Sequence, residues 1–344
     1  MPQDVLLGRD HLVIAEIAQA HDGNVDVAHQ LIDSASAAGV HAVKFQTHLA
    51  AAESTHREPW RVKFSSRDSD RYAYWKRMEF TVSQWKELKA HCDEANVEFM
   101  SSPFSPQAID LLMGIGVRLW KVASGEVSNA QLLERLSDTG LPVILSSGLS
   151  TMLELRKAVE IVGRHSNELA ILQCATQYPT PPDQVGLNVI EEFRREFDCI
   201  VGISDHTAAI FASIAAVALG ARVVETHIKA DDDHTGPDAS SSLTRLQLTE
   251  LVKGVAFVRA AMTSNVDKYS LTSDQERLRV IFGRSLVAAR PLGVGHVLAR
   301  EDLAYKKPGG GLRYEDLSEL EGQRLRRSVM ADEPLGRDDV EMNS

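Results

Sequence analysis

Short apolar or β-branched runs alternate with segments of helical period from Leu12 to about Thr263. The pattern predicts strands over Leu12–Ile17, Ala42–Gln46, Glu98–Ser101, Leu119–Val122, Val143–Ser146, Leu169–Cys174, Ile200–Ser204 and Val223–Thr226. Each run is followed by a polar or glycine-containing turn and then an amphipathic stretch, the signature of repeated βα units and a parallel sheet. In the first unit Asp26 is expected to cap a helix whose Val27, Ala28, Leu31, Ile32 and Ala35 share one face, with Gly39 ending it. Eight units over roughly 250 residues predict an α/β fold of the (β/α)8 TIM-barrel kind rather than an open sheet. No glycine-rich dinucleotide turn follows the first strand, which disfavours a Rossmann arrangement.

The second unit breaks the rhythm. About 35 residues (order of magnitude for a long loop) from Thr47 to Thr81 carry Trp60, Phe64, Tyr72, Tyr74, Trp75 and Phe80 among Arg57, Arg61, Lys63, Arg67 and Arg71. Such a loop either faces a substrate as a lid or serves packing and assembly. Residues 265–284 are polar without a clear apolar face and read as a linker after a barrel spanning 1–264. From Ser285 to Ser344 short extended pieces broken by Pro291, Gly293, Gly295, Pro308 and Gly309-Gly310-Gly311 predict a small, β-rich second domain with a marginal core.

At 344 residues with 44% hydrophobic content, the chain holds enough apolar material for one large core and a satellite. A formal net charge of -11 argues against a general nucleic-acid or membrane-surface binder, since both polyanions repel it at long range. No run approaches the roughly 20 apolar residues of a membrane span, and Met1 to Asp10 lacks a signal core. Cys92, Cys174 and Cys199 match neither a disulfide framework nor a zinc knuckle, so a reducing, cytoplasmic setting is expected.

In a barrel, reactive groups gather at the C-terminal ends of the strands. Here those ends carry Glu16, Lys44 with Gln46, Ser101 with Ser102, Lys121 with Ser124 and Glu126, Ser146 with Ser147, Thr176 with Tyr178, Ser204 with His206, and Glu225 with His227. A lone serine there is most often a turn or cap. A lysine inside an apolar strand (Ala-Val-Lys44-Phe, Leu-Trp-Lys121-Val) must instead find a partner or a wet site. Two lysines and several hydroxyls on one mouth suit a phosphorylated small molecule. His206 and His227, on consecutive strand ends, can together hold a divalent ion such as Mn²⁺, Zn²⁺ or Fe²⁺, with Glu16 or Glu225 as a further ligand or orienting group.

Taken in order, Ile14-Ala15-Glu16-Ile17, Val43-Lys44-Phe45-Gln46-Thr47, Ser101-Ser102-Pro103-Phe104-Ser105, Lys121-Val122-Ala123-Ser124-Gly125-Glu126, Tyr178-Pro179-Thr180-Pro181, Gly202-Ile203-Ser204-Asp205-His206-Thr207, Glu225-Thr226-His227 and Gly236-Pro237-Asp238 resemble the sialic acid (nonulosonate) synthase family. Lys306-Lys307-Pro308-Gly309-Gly310-Gly311 resembles the antifreeze-like (SAF) domain that ends those enzymes. The resemblance implies a transferase that condenses phosphoenolpyruvate with an N-acylated hexosamine, N-acetylmannosamine or a 2,4-diacetamido-trideoxyhexose, to a nine-carbon 2-keto sugar acid and phosphate. It implies that Lys44, Ser102, Lys121, Ser124, Ser146, Thr176 and Ser204 hold phosphoenolpyruvate, that His206 and His227 bind Mn²⁺, Mg²⁺, Co²⁺ or a similar ion, and that Glu16 and Glu225 act with them in catalysis. Gln46, Glu126, Tyr178, Asp238 and Lys307 are then the residues around the sugar, Lys307 reaching it from the SAF domain of a domain-swapped homodimer.

The chain departs from that family at the sugar side. Lys307 stands where the family usually has arginine, and an ammonium cannot reproduce a bidentate guanidinium contact. Gln19-Ala20-His21-Asp22-Gly23 replaces the usual Asn-His-Asn-Gly, and no asparagine lies between Asn24 and Asn96 to serve the sugar. Two other readings stay open at this point: a synthase using another or a phosphorylated aldose, held by the Arg57 to Arg71 loop, and a non-catalytic sugar-binding protein.

Overall fold

A computed structural model describes residues 8–63, 66–165, 168–230 and 236–341; Phe64 of the aromatic loop lies outside them. The chain forms two compact units, Met1–Ser264 and Asn265–Ser344. In the first, β1 (Leu12–Ala18), β2 (Ala42–Thr47), β3 (Glu98–Pro103), β4 (Trp120–Val122), β5 (Val143–Ser146), β6 (Leu169–Cys174), β7 (Ile200–Asp205) and β8 (Val223–His227) close in chain order into a parallel barrel. β4 starts at Trp120 rather than Leu119, because the Trp120 N–H to Pro142 carbonyl bond (2.8 Å) is where its pairing with β5 begins. Several other strands run one or two residues further than expected, and β8 ends on His227 itself.

Side chains alternate along each strand, so the interior positions form a series. Toward the N-terminal ends they are apolar: Leu12, Ile14, Ala42, Met100, Leu119, Ile144, Ala170, Leu172, Ile200 and Val223 pack as one cluster. Further along, the same series becomes Glu16, Lys44, Ser102, Lys121, Ser146, Ser204 and Glu225, all buried. The larger core lies outside the barrel wall, between strands and helices. Gly202 is required where β7 passes β8, since a Cβ there meets the Val223 carbonyl oxygen at 2.3 Å.

Helix starts follow local caps. Capping boxes at Thr81/Gln84, Thr151/Glu154 and Thr244/Gln247 open three of the outer helices. The first helix, Val25–Ala38, is capped by Asn24 rather than Asp26: the Asn24 side chain accepts from the Asp26 N–H, while Gly39 ends it at φ 85°. The long loop after β2 carries helices Ala50–Glu53 and Arg71–Met78 and a small core of Ala50, Tyr74, Trp75 and Met78 against Trp60 and Tyr72.

In the second unit the segment read as a linker contains a helix, Ser273–Phe282, opened by a Thr272/Gln275 capping box. It has no buried residue, so no apolar stripe announced it; the Thr272-x-x-Gln275 box was the local signal available, and the reading as a linker passed over it. Beyond it β9 (Ser285–Ala288) pairs with β10 (Leu303–Lys306), and β11 (Arg324–Leu325) with β12 (Val340–Glu341), around a core rich in leucine. Among the described residues no helix is long and apolar enough to cross a membrane, and all three cysteines are unpaired.

Candidate active site

Strand register brings four charged side chains together at the barrel's polar end. Glu16 is paired in register with Lys44 on β2 and with His227 on β8, and Ser204 with Glu225. The Lys44 ammonium contacts the Glu16 carboxylate directly and lies 3.8 Å from Glu225. Lys121 lies 3.6 Å from the other Glu225 oxygen and donates to Ser146 Oγ (2.7 Å) and the Val122 carbonyl (3.1 Å). Ser204 donates to Glu225 (2.9 Å), and Lys44 donates to Ser102 (3.4 Å). Two cations and two carboxylates thus share a site where each side chain is at most 6% exposed.

Burial pushes the Glu16 carboxyl up, and the Glu225 charge adds to this against the pull of Lys44, leaving it at about 7. Burial acts on Glu225 in the same direction, but Lys121, Lys44 and the Ser204 hydroxyl outweigh it and hold that carboxyl at about 2. Burial lowers Lys121, with Lys44 adding to the effect, whereas on Lys44 the two carboxylates overcome burial and raise it. Glu16 is therefore the member of the quartet that exchanges a proton near neutrality.

Beside the quartet stand the two histidines, ring centroids 5.2 Å apart. His206 Nδ1 lies 2.7 Å from the Ala175 carbonyl, an acceptor only, so Nδ1 carries the proton and Nε2 keeps its lone pair. Burial and the neighbouring His227 push His206 down to about 4, and burial lowers His227 as well, so both rings are neutral at pH 7. Tyr178 stacks on His206 at 4.1 Å, with its hydroxyl 3.2 Å from Nε2, and meets His227 edge-on. Asp238 lies 4.0 Å from His227 Nδ1 and accepts from Arg61 (2.7 Å), whose guanidinium covers the Tyr178 ring at 4.4 Å.

A cavity of about 280 Å³ opens above these groups, lined among others by Gln46, Ser124, Thr176, Tyr178, His227 and Asp238. Gly148 is required at its edge, where a Cβ meets Thr176 Cγ2 at 2.7 Å and Ser124 Oγ at 2.9 Å. Gln46 spans from this cavity to the quartet by donating to Glu16 (3.3 Å). Glu126 lies apart from it, on a second cavity beside Asn129. Lys307 belongs to the second unit, where its amine lies 5.6 Å from the centroid of the Phe282 ring.

Residues 31–267 match the NeuB family, and residues 283–341 match the SAF domain. The chain belongs to the NeuB family. It is 32% identical over 89% of its length to an N,N'-diacetyllegionaminic acid synthase of Campylobacter jejuni, covering 93% of that protein. It is also 32% identical over 96% of its length to the N-acetylneuraminate-9-phosphate synthase of Mus musculus, again covering 93%. Among solved structures, an N-acetylneuraminic acid synthetase from Leptospira borgpetersenii superposes with a TM-score of 0.69 at 28% identity, over 78% of this chain and 90% of that one.

Around the site of this NeuB-family chain stand residues that the strand-end reading passed over. His48, just beyond β2, is sandwiched between Trp75 (3.8 Å) and Phe104 (4.3 Å) and held by Glu53 (2.5 Å) and Gln19 (3.1 Å). Asp205 accepts from the Thr207 N–H (2.9 Å) and from the Ser213 N–H and hydroxyl (3.1 and 2.7 Å), fixing the turn that presents His206. Cys174 takes a weak bond from Ser124 (3.5 Å) inside the cradle. The position of His48 two residues past Gln46, and of Asp205 inside Ser-Asp-His-Thr, were the available signals.

Proposed function

We propose that the protein is a nonulosonic acid synthase, joining phosphoenolpyruvate to an N-acylated hexosamine to give a nine-carbon 2-keto sugar acid and inorganic phosphate. The observation that carries this is the buried Glu16–Lys44–Lys121–Glu225 quartet lying beside two neutral imidazoles under one cavity. Lys44 and Lys121, with Ser102, Ser124, Ser146, Thr176 and Ser204, take the anionic groups of phosphoenolpyruvate, and Gln46, Tyr178 and Asp238 orient the sugar. Lys121 and Lys44 neutralise charge in ground and transition states alike, so they serve binding and rate together.

Chemically, C3 of phosphoenolpyruvate forms a bond to the aldehyde carbon, whose oxygen takes up a proton. Water then adds to C2, losing a proton, and the resulting tetrahedral centre expels phosphate with cleavage of its C–O bond, leaving the 2-keto acid. Glu16, held near 7, is the group suited to receive the proton from that water. Glu225, fixed as a carboxylate, supplies the constant negative charge that keeps both lysines oriented.

His206 and His227 are the residues that would hold a divalent ion. Two neutral imidazoles, one with an assigned free lone pair, suit a borderline cation such as Zn²⁺ or Fe²⁺, and Mn²⁺ where oxygen donors complete the shell; among the described residues no third His, Cys, Asp or Glu completes a cluster, so water and substrate would fill the remaining positions. Bound there, the ion acts as a Lewis acid on the sugar aldehyde. A domain-swapped homodimer, in which Lys307 serves a partner's sugar site, is supported by the helix Ser273–Phe282, which leaves Leu278, Val280, Ile281 and Phe282 exposed.

The test is phosphate release from phosphoenolpyruvate across a panel of 2-acylamino and 2,4-diacylamino hexoses with Mn²⁺, followed by mass spectrometry of the product. Release that needs phosphoenolpyruvate, sugar and ion together is expected. No release with any sugar would refute the proposal.

A further inference from the structure

Gln19 holds an irregular place at the barrel mouth. Strict alternation along β1 turns Leu12, Ile14 and Glu16 inward and would turn residue 19 outward. The register with β2 slips after Glu16, however, and Ala18 takes a left-handed φ of 46°. That bulge brings the Gln19 side chain into the mouth, where it is buried, lines the first cavity and reaches Gln46 on β2.

The hydrogen bonds around Gln19 form a chain that ends on two carboxylates, Glu53 and Glu16, and an ionised carboxylate can only accept. Glu53 Oε1 lies 2.5 Å from His48 Nδ1, so Nδ1 carries a proton. The other Glu53 oxygen accepts from the Leu49 N–H (3.3 Å), and the His48 ring is stacked between Trp75 and Phe104, which fixes the plane of the imidazole. His48 Nε2 lies 3.1 Å from the Gln19 amide nitrogen and 3.2 Å from Gln46 Oε1. The same Gln19 nitrogen donates to Gln46 Oε1 (2.5 Å). Unprotonated, Nε2 accepts the second Gln19 N–H; protonated, it donates to Gln46 Oε1. In both states Gln46 Oε1 meets only donors, so the amide nitrogen of Gln46 is the end turned to Glu16 Oε1 (3.3 Å). A reversed Gln46 would set its carbonyl against the Glu16 carboxylate and its N–H groups against those of Gln19.

We propose that Gln19 and His48 are positioning residues: through Gln46 they hold the Glu16 carboxylate in the place from which it takes the proton of the attacking water. The inference rests on the synthase reading above, in which Glu16 has that task. Lys44 contacts Glu16 Oε2 and Gln46 donates to Oε1, so the amide fixes the carboxylate plane that the ammonium alone leaves free to turn. Gln19 suits the junction because its amide nitrogen has two N–H donors, one for each neighbour.

The experiment replaces Gln19 by two side chains of nearly its own size. Gln19→Met removes both donors and only releases Gln46. Gln19→Glu sets a carboxylate against Gln46 Oε1, which reverses the Gln46 amide and turns its carbonyl on Glu16. In phosphate-release kinetics Gln19→Met and His48→Phe should each lower kcat about fivefold and Gln19→Glu about 50-fold or more, with KM for phosphoenolpyruvate within about threefold throughout. In a Gln46→Met background Gln19→Glu should cost less than about twofold further, whereas a charge acting directly on the site would cost as much as before. Ring ¹⁵N spectra of histidine-labelled protein, assigned by the signal lost in His48→Phe, should show His48 protonated at Nδ1. A Gln19→Met loss as large as that of Gln19→Glu, an undiminished loss in the Gln46→Met background, or a His48 without a proton on Nδ1 overturns the proposal. No phosphate release by the unaltered protein with any sugar refutes the synthase reading and with it the task of Glu16, whereas the ring spectra, which need no substrate, read the hydrogen-bond order by themselves.

Discussion

Replacing Lys121 by methionine keeps a side chain of similar length in the barrel and removes one charge from the quartet. Lys121 is 2% exposed and lies 3.6 Å from Glu225, so the lost attraction at an effective dielectric constant of 20 is about 4 to 5 kcal/mol. Broken buried pairs cost about 3 to 5 kcal/mol because the remaining charge stays desolvated. Lys121→Met should therefore destabilise the barrel by roughly that amount at pH 7.5, leaving Glu225 with Lys44 alone, 3.8 Å away.

The pH dependence gives the sharper test. In the native protein Glu225, held at about 2 against an ordinary 4.5, contributes stability that is full above 4.5 and lost as the pH falls toward 2. Without Lys121 the largest pull that opposes burial is gone, so the Glu225 carboxyl rises, and the penalty present at high pH fades as protonation relieves it. The stability gap between the two proteins should narrow from pH 7.5 to pH 5. Urea unfolding followed by tryptophan fluorescence reads this in the barrel unit alone, since Trp60, Trp75, Trp85 and Trp120 all lie there. Adding Glu225→Gln should restore at least about half of the loss, because no uncompensated charge then remains. A cost below about 1 kcal/mol with no change across this pH range would refute the coupling of these groups.

Other consequences are measurable. Protonating Glu16 turns the quartet from neutral to net positive, so calorimetric affinity for phosphoenolpyruvate should weaken as the pH rises through about 7, and Glu16→Gln should abolish that dependence while lowering kcat by about 100-fold or more. His21, pushed down to about 3 chiefly by burial, and His206, at about 4, bind fewer protons folded than unfolded; stability should fall as the pH drops below 6.5, and His21→Gln should flatten that slope in acid titrations. Asp205→Ala leaves three donors from Thr207 and Ser213 without their acceptor, and should cost about 1 to 3 kcal/mol of stability and lower kcat more than it raises KM. His206→Ala and His227→Ala should each weaken Mn²⁺ binding, read by isothermal titration, without lowering phosphoenolpyruvate affinity by more than about threefold.

The barrel was legible because apolar runs alternate with helical segments, which marks a parallel sheet covered on both faces, and because eight such units suit closure better than an open sheet. Interior positions such as Ile14 and Ile200 are apolar, the exterior ones are apolar too, and helices cover the outside. Lysines at 44 and 121 interrupted that pattern, and an interruption of a doubly buried strand by an ammonium is informative because it has few bland explanations. What strand-end reading did not reach was the pairing of those lysines with Glu16 and Glu225, which depends on the register between β1, β2 and β8 and on the side chains crossing the barrel interior. The helix Ser273–Phe282 was missed for the opposite reason, having no buried face for periodicity to detect.

The loop after β2 shows most plainly why residue type alone misleads. In sequence, Arg57, Arg61, Arg67 and Arg71 among aromatics read equally as a substrate-facing lid or as packing and assembly. The fold supplies partners for three of them, two remote in the chain, Asp238 for Arg61 and Asp22 for Arg67, and one within the loop itself, Glu58 for Arg71. Once paired, an arginine no longer brings net positive charge to its surroundings, and its guanidinium plane becomes a surface to cover rings, as Arg61 covers Tyr178. The lysines beneath are balanced in the same way: Lys44 and Lys121 face Glu16 and Glu225, so the quartet gains net positive charge only when Glu16 takes up a proton.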